Sequence, residues 1–256
     1  MSKCMPILDQ MPPEIMEKIV GYTDIMDKFR LHQCCKYFKQ IVDDSEIVLQ
    51  QLEFDWDYSE NQANVLVEIT DRHHINKTFN DEHPGKPVEN AMAALKFVEN
   101  VLKSHPKIRV DELKLDVEFE TQELENSENR AILMGEVSRI FSGLGCKLPV
   151  ETLELSPFID EQLLMTVLPH LAPGTLRELH LYNAITLDIS IELPRTVETE
   201  QWKQAEVLTT VNYLPIDLEK TDHFKHLEYR VVRLEVEDVK RIVEVWVLPG
   251  FIGTGS

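Results

Sequence analysis

The chain has 256 residues, 43% of them hydrophobic, enough for one large domain or a small module joined to a larger one. Its 26 Lys and Arg against 45 Asp and Glu give a net charge of −19, the wrong sign for a phosphate backbone or an anionic lipid surface, so neither nucleic acid nor membrane is expected as a direct partner. The four cysteines lack framework spacing and no stretch approaches the roughly 18 apolar residues of a membrane span, so a soluble cytoplasmic or nuclear chain is expected.

The acidity is unevenly placed: residues 1–45 carry 6 basic and 7 acidic groups, and residues 46–256 carry 20 and 38. Met11-Pro12-Pro13-Glu14 reads as a helix start, because proline is tolerated in the first turn and a glutamate there complements the macrodipole. Ile15, Ile19 and Tyr22, with Met16 and Val20, follow as one apolar face that ends near Gly21 and Asp24. A second helix from about Asp27 puts Leu31, Cys34, Cys35, Phe38, Ile41 and Val42 on one stripe of helical period. About 35 residues of short helix cannot bury that much apolar surface alone, so a partner or the rest of the chain must cover part of it.

The longer part opens with a helix carrying Ala94, Leu95, Val98, Val101 and Leu102. It then repeats one pattern, an aliphatic residue followed at +3 and +5 by two more, the last two on the same face of a strand. Copies are Val110-x-x-Leu113-x-Leu115, Val150-x-x-Leu153-x-Leu155 and Leu176-x-x-Leu179-x-Leu181, with degenerate ones at Leu208-x-x-Val211-x-Tyr213 and Phe224-x-x-Leu227-x-Tyr229. Between them Leu133, Val137, Ile140, Phe141 and Leu144 mark one amphipathic helix, and Leu163, Leu164, Val167 and Leu168 another that ends near Pro169. Val236 to Val247 is helix-like, Thr78–Val88 and Ala172–Thr175 are irregular, and the tail from Pro249 is expected to fray.

Chemistry is sparse. No nucleotide-binding, hydrolase-elbow or zincin motif occurs, so no catalytic residue, cofactor or metal is assigned. Cys34 and Cys35, about 100° apart on a helix, cannot share a tetrahedral ion well and read as small packed hydrophobes. His223-x-x-His226 opens a strand, where positions three apart face opposite sides. Trp202 reads as a core anchor, and the acidic stretch Asp111–Glu128 as a solvated face whose Leu113, Leu115, Val117 and Phe119 point inward.

From Met11 to Phe38 the sequence MPPEIMEKIVGYTDIMDKFRLHQCCKYF resembles an F-box, with Met11, Pro12, Glu14, Ile19 and the Cys34-Cys35-Lys36-x-Phe38 ending in that family's register. Met11, Thr23, Lys28 and Gln33 depart from its usual aliphatic residues. LPHLAPGTLRELHL (168–181), EQWKQAEVL (200–208) and HFKHLEYRVVRLEVEDVKRI (223–242) resemble successive blocks of the FTH domain, which follows an F-box in the nematode F-box A family. The resemblance implies a mixed α/β chain: a three-helix F-box at 6–45, a connecting helical region at 46–104, a leucine-rich-repeat-like FTH domain at 105–246 and a frayed tail at 247–256. It further implies the substrate-recognition subunit of an SCF-type cullin ubiquitin ligase, in which Met11, Pro12, Ile15, Ile19, Leu31, Cys34, Cys35 and Phe38 contact a Skp-family linker protein. Through that linker the chain would reach a cullin, and the C-terminal domain would hold a target protein that the sequence does not identify. The alternative is a non-catalytic adaptor acting outside a ligase.

Overall fold

The structure, a computed structural model, describes residues 11–58, 63–71, 74–78, 86–103, 105, 107–119, 128–156, 161–182, 192–215, 218–230 and 240. Three short helices lead: α1 (Pro13–Tyr22), α2 (Ile25–Cys34) and α3 (Lys36–Asp44). Pro12 caps α1 in extended geometry with Pro13 in the first turn, and Thr23 closes it by donating its hydroxyl to the Val20 carbonyl at 2.8 Å. Asp24 caps α2 by accepting from the Asp27 amide at 2.7 Å.

The remainder builds one eight-stranded sheet among the described residues, in the order β3-β2-β1-β4-β5-β6-β7-β8. The strands are β1 (Ile47–Tyr58), β2 (Ala63–Thr70), β3 (His74–Thr78), β4 (Ile108–Phe119), β5 (Val150–Ser156), β6 (Glu178–Leu181), β7 (Val207–Tyr213) and β8 (His226–Arg230). β1, β2 and β3 pair antiparallel, whereas β1, β4, β5, β6, β7 and β8 run parallel. Parallel neighbours need crossovers. They are supplied by α4 (Pro87–Lys103), α5 (Glu128–Ser142), α6 (Glu161–Val167), α7 (Glu200–Gln204) and, before β8, a single 3₁₀ turn at Leu218–Lys220.

The repeated pattern is the lattice of this sheet. Leu113, Leu153, Leu179, Leu208 and Leu227 are register partners across β4 to β8, and Leu115, Leu155, Leu181 and Thr210 form the next row. Leu52 and Phe54 of β1 extend both rows through their pairing with Leu113 and Leu115. Together with the inward apolar faces of α4 to α7 they form one continuous core. Each such side chain, when fully buried, contributes about 1.5–3 kcal/mol. Trp202 lies at its far end, fully buried, edge-on to Phe224 with ring centroids 5.2 Å apart and its indole N–H donating to the Lys220 carbonyl at 3.0 Å.

Four readings of the sequence change. Residues 46–104 are not a helical connection, because β1, β2 and β3 precede α4 there and widen the sheet. The copy assigned to Leu208-x-x-Val211-x-Tyr213 is shifted by three: Leu208 is the partner of Leu179, so the frame is Ala205-x-x-Leu208-x-Thr210, whose small and polar ends hide it from an aliphatic pattern. The stripe from Leu31 to Val42 is broken by an extended Cys35 (φ −161°, ψ 166°), which separates α2 from α3. Cys34 and Cys35 are exposed at that break and pack no core.

Helices α4, α5 and α6 stand where periodicity places them. The turn at Ala172–Thr175 is present, with Gly174 at φ +82°. A fifth reading changes as well: His223, expected to open the strand with His226, lies in the turn before β8 and hydrogen-bonds the Trp202 carbonyl oxygen at 2.8 Å. The expected helix at 236–247 lies outside the described residues apart from Lys240, as do the tail, residues 79–85 of the irregular stretch and the side chains of Val117, Phe119 and Tyr229.

Candidate functional site

In the N-terminal module α1 is apolar on two sides. Met16 and Val20, one turn apart, are fully buried and pack with Phe38, Ile41 and Val42 in a small core. Ile15, Ile19 and Tyr22 occupy the neighbouring side, about 100° round the helix, and are 44%, 39% and 77% exposed, an apolar row that the described residues leave open. A row of this kind, at i, i+4 and i+7, is how a helix offers itself to a partner's groove or helices.

The linker contacts expected from the sequence therefore divide. Ile15 and Ile19 are brought together on the open row, and Pro12 is exposed at the start of the same helix. Cys34 and Cys35 are exposed at the junction of α2 and α3. Met11 and Leu31 are half-buried against the small core, and Phe38 is inside it at 5% exposure, where it holds the module together and has no free face. Tyr22 is missing from the expected set although its spacing from Ile15 and Ile19 was the signal for it.

The module is fastened to the sheet. Asp71, just past β2, accepts from the Ile25 amide at 2.9 Å, and Ile25, Met26 and Phe29 pack into the main core. His105, buried before β4, joins its Nε2 to the Val42 carbonyl oxygen of α3 while its Nδ1 accepts from the Lys107 amide at 3.1 Å. The accepting Nδ1 fixes the neutral tautomer with the proton on Nε2. Burial lowers the His105 pKa from 6.5, against the opposing pull of its bond to Val42 and of Asp43. These ties join α2 and α3 to the sheet, and α1 packs on α3 through Met16 and Val20.

The second surface is the sheet face opposite the helices. Strand residues of the other phase line it, and Glu53, Lys114, Glu154, His180, Thr209 and Glu228 are successive register partners along one row. Gln51, Glu112, Thr152, Glu178, Val207 and His226 form the next. Lys114 reaches Glu112 at 3.4 Å and Glu154 at 3.6 Å. A shallow cavity of about 50 Å³ opens here between Glu53, Lys114, Asp116, Glu154 and Ser156. His180 hydrogen-bonds Glu178 at 3.0 Å and stacks on Tyr182 at 6.2 Å.

Two groups register the field of this face. Burial alone would lower the Lys114 ammonium, yet Glu154, Glu112 and Glu53 outweigh it and raise its pKa. Burial raises the Tyr182 phenol, and Glu154 and Glu228 push it in the same direction. Among the described residues no three His, Cys, Asp or Glu side chains gather as a metal site.

Comparison with family models matches an F-box domain at residues 8–50 and an FTH domain at residues 133–248. A search of curated proteins finds no match. The F-box match spans α1 to α3 and enters β1; the FTH match takes in most of α5 and all of β5 to β8. The chain thus has the F-box plus FTH architecture, an F-box domain followed by an FTH domain.

Proposed function

We propose that this protein is the substrate-recognition subunit of an SCF-type cullin ubiquitin ligase. An F-box domain generally binds Skp-family linkers, and the observation that carries the reading here is the open row of Ile15, Ile19 and Tyr22 on α1 of the matched F-box. Apolar anchors at the centre of an interface supply most of its binding energy once a partner covers them. The module meets that need while keeping its own core of Met16, Val20, Phe38, Ile41 and Val42.

In this reading the chain performs no chemistry. It holds a target at a set distance from the carrier enzyme that the cullin brings, and the gain is effective concentration and orientation. The ties from His105 and Asp71 to the F-box support it, because a rigid joint between linker-binding and target-binding parts keeps that distance fixed. The test is capture of a purified Skp-family linker by the full chain beside its Ile19→Asp variant, with loss of capture expected in the variant alone.

A further inference from the structure

The sheet face opposite the helices takes no part in the open row of α1. The inward phases of β1, β4, β5, β6 and β7 are buried under α4 to α7 in a single core, whereas the outward phase is covered by no element among the described residues. Six parallel strands at about 4.8 Å spacing make each outward row about 24 Å long, the length of roughly seven residues of extended chain.

The sign of that face selects its occupant. Glu53, Glu112, Glu154, Glu178 and Glu228 stand on its two central rows, and Lys114 is the one Lys or Arg on those rows. A second copy of the chain, presenting the same face, would be repelled, and so would nucleic acid or an anionic membrane. The cavity between Glu53, Glu154 and Asp116 has room for the end of one cationic side chain beside Lys114.

We propose that this face is the target-docking surface and that it takes an extended, Lys/Arg-rich segment of the target protein. The proposal rests on the reading of the chain as a substrate receptor and adds the chemistry of what it receives. Cations at alternate positions of an extended segment all point to one side and lie about 7 Å apart, which spans the rows of carboxylates without requiring a groove.

The probe is a fluorescein-labelled ten-residue peptide alternating Lys or Arg with Ser, titrated with the full chain at physiological ionic strength, beside a peptide with Glu in place of the cations. Neutralising Glu53, Glu154 and Glu178 to Gln is expected to weaken binding of the basic peptide about tenfold. Neutralising Asp44, Glu46 and Glu200, acidic residues off this face, to Asn or Gln is expected to change it less than about twofold. Lys114→Gln removes the repelling charge and is expected to tighten binding about two- to threefold. Absence of binding to the wild-type chain, equal weakening by both sets of substitutions, or equal binding of the acidic peptide would overturn the proposal. Linker capture by the face variants separates the two readings: if it is retained while the peptide is indifferent to the face, this proposal falls and the receptor reading stands.

Discussion

His105 donates from Nε2 to the carbonyl of Val42, across 63 residues of sequence, and so ties the last turn of the F-box to the entrance of the central strand β4. Its Nδ1 is occupied by the Lys107 amide, so a second proton would face a donor. A His whose folded pKa is depressed contributes stability that is complete above its unfolded value and is lost as pH falls. The window here opens at 6.5 and extends downward. His105→Gln is expected to cost about 1–2 kcal/mol at pH 7.5 in urea denaturation, with a smaller gap to wild type at pH 5.5. Parallel stability profiles for the two proteins would contradict this role.

Glu99 provides a second, more acidic window. Its carboxylate, 4% exposed on α4, meets Arg139 of α5 through two hydrogen bonds of 2.8 and 2.9 Å, and Lys103 and Lys96 at 2.8 and 2.7 Å. These partners, Arg139 first, hold it well below 4.5 against the opposing effect of burial. A depressed carboxylate stabilises above its unfolded pKa, so the contribution is whole at neutral pH and fades below 4.5. Because the three cations remain partly exposed and can regain water, Glu99→Gln is expected to cost only about 1–2 kcal/mol at pH 7. The gap between the two urea midpoints should narrow at pH 3; a constant gap would count against it.

The two sides of α1 should respond oppositely. Met16→Ala empties a buried position and is expected to cost about 2–4 kcal/mol, enough to unfold the module in a protease-sensitivity assay. Ile15→Ala on the open row should change stability by less than about 0.5 kcal/mol. Equal sensitivity of the two variants would mean that α1 has no free face.

Gly174 follows Pro173 in the turn that leads into β6, and its φ of +82° is the left-handed value that an L side chain resists. A Cβ there would also meet the Gln204 side chain at 3.2 Å. Gly174→Ala is expected to destabilise by about 1–2 kcal/mol and lower Tm by about 2–8 °C. An unchanged melting curve would show that the turn tolerates another geometry.

Much of this architecture is legible in the residues, for identifiable reasons. Leu113, Leu115, Leu153, Leu155, Leu179 and Leu181 are large, aliphatic and evenly spaced, so the pattern names the strands and even their register. The same pattern stands at Leu49, Leu52 and Phe54, as legible as the copies that end in Tyr213 and Tyr229, and is lost only by reading that stretch as helical; at Ala205, Leu208 and Thr210 it has a small and a polar end, so the frame of β7 escapes an aliphatic search. On α1 all five apolar residues satisfy a helical period, and only packing against α3 tells Met16 and Val20 from Ile15 and Ile19. The break at Cys35 has neither Gly nor Pro to announce it. The ties from Asp71 and His105 to the F-box join residues 46 and 63 positions apart, and periodicity carries no information at that range.

The most direct test of the account is linker capture on the open row of α1. The full chain and its Ile19→Asp variant would be compared for binding to a purified Skp-family linker, with urea denaturation of both run alongside. The expected result is binding by the wild type, at least about a hundredfold weaker binding by the variant, and superimposable unfolding curves, because Ile19 anchors a partner and not the core. Equal capture by the two proteins, or none by the wild type, would contradict the assignment of this chain to a cullin ligase.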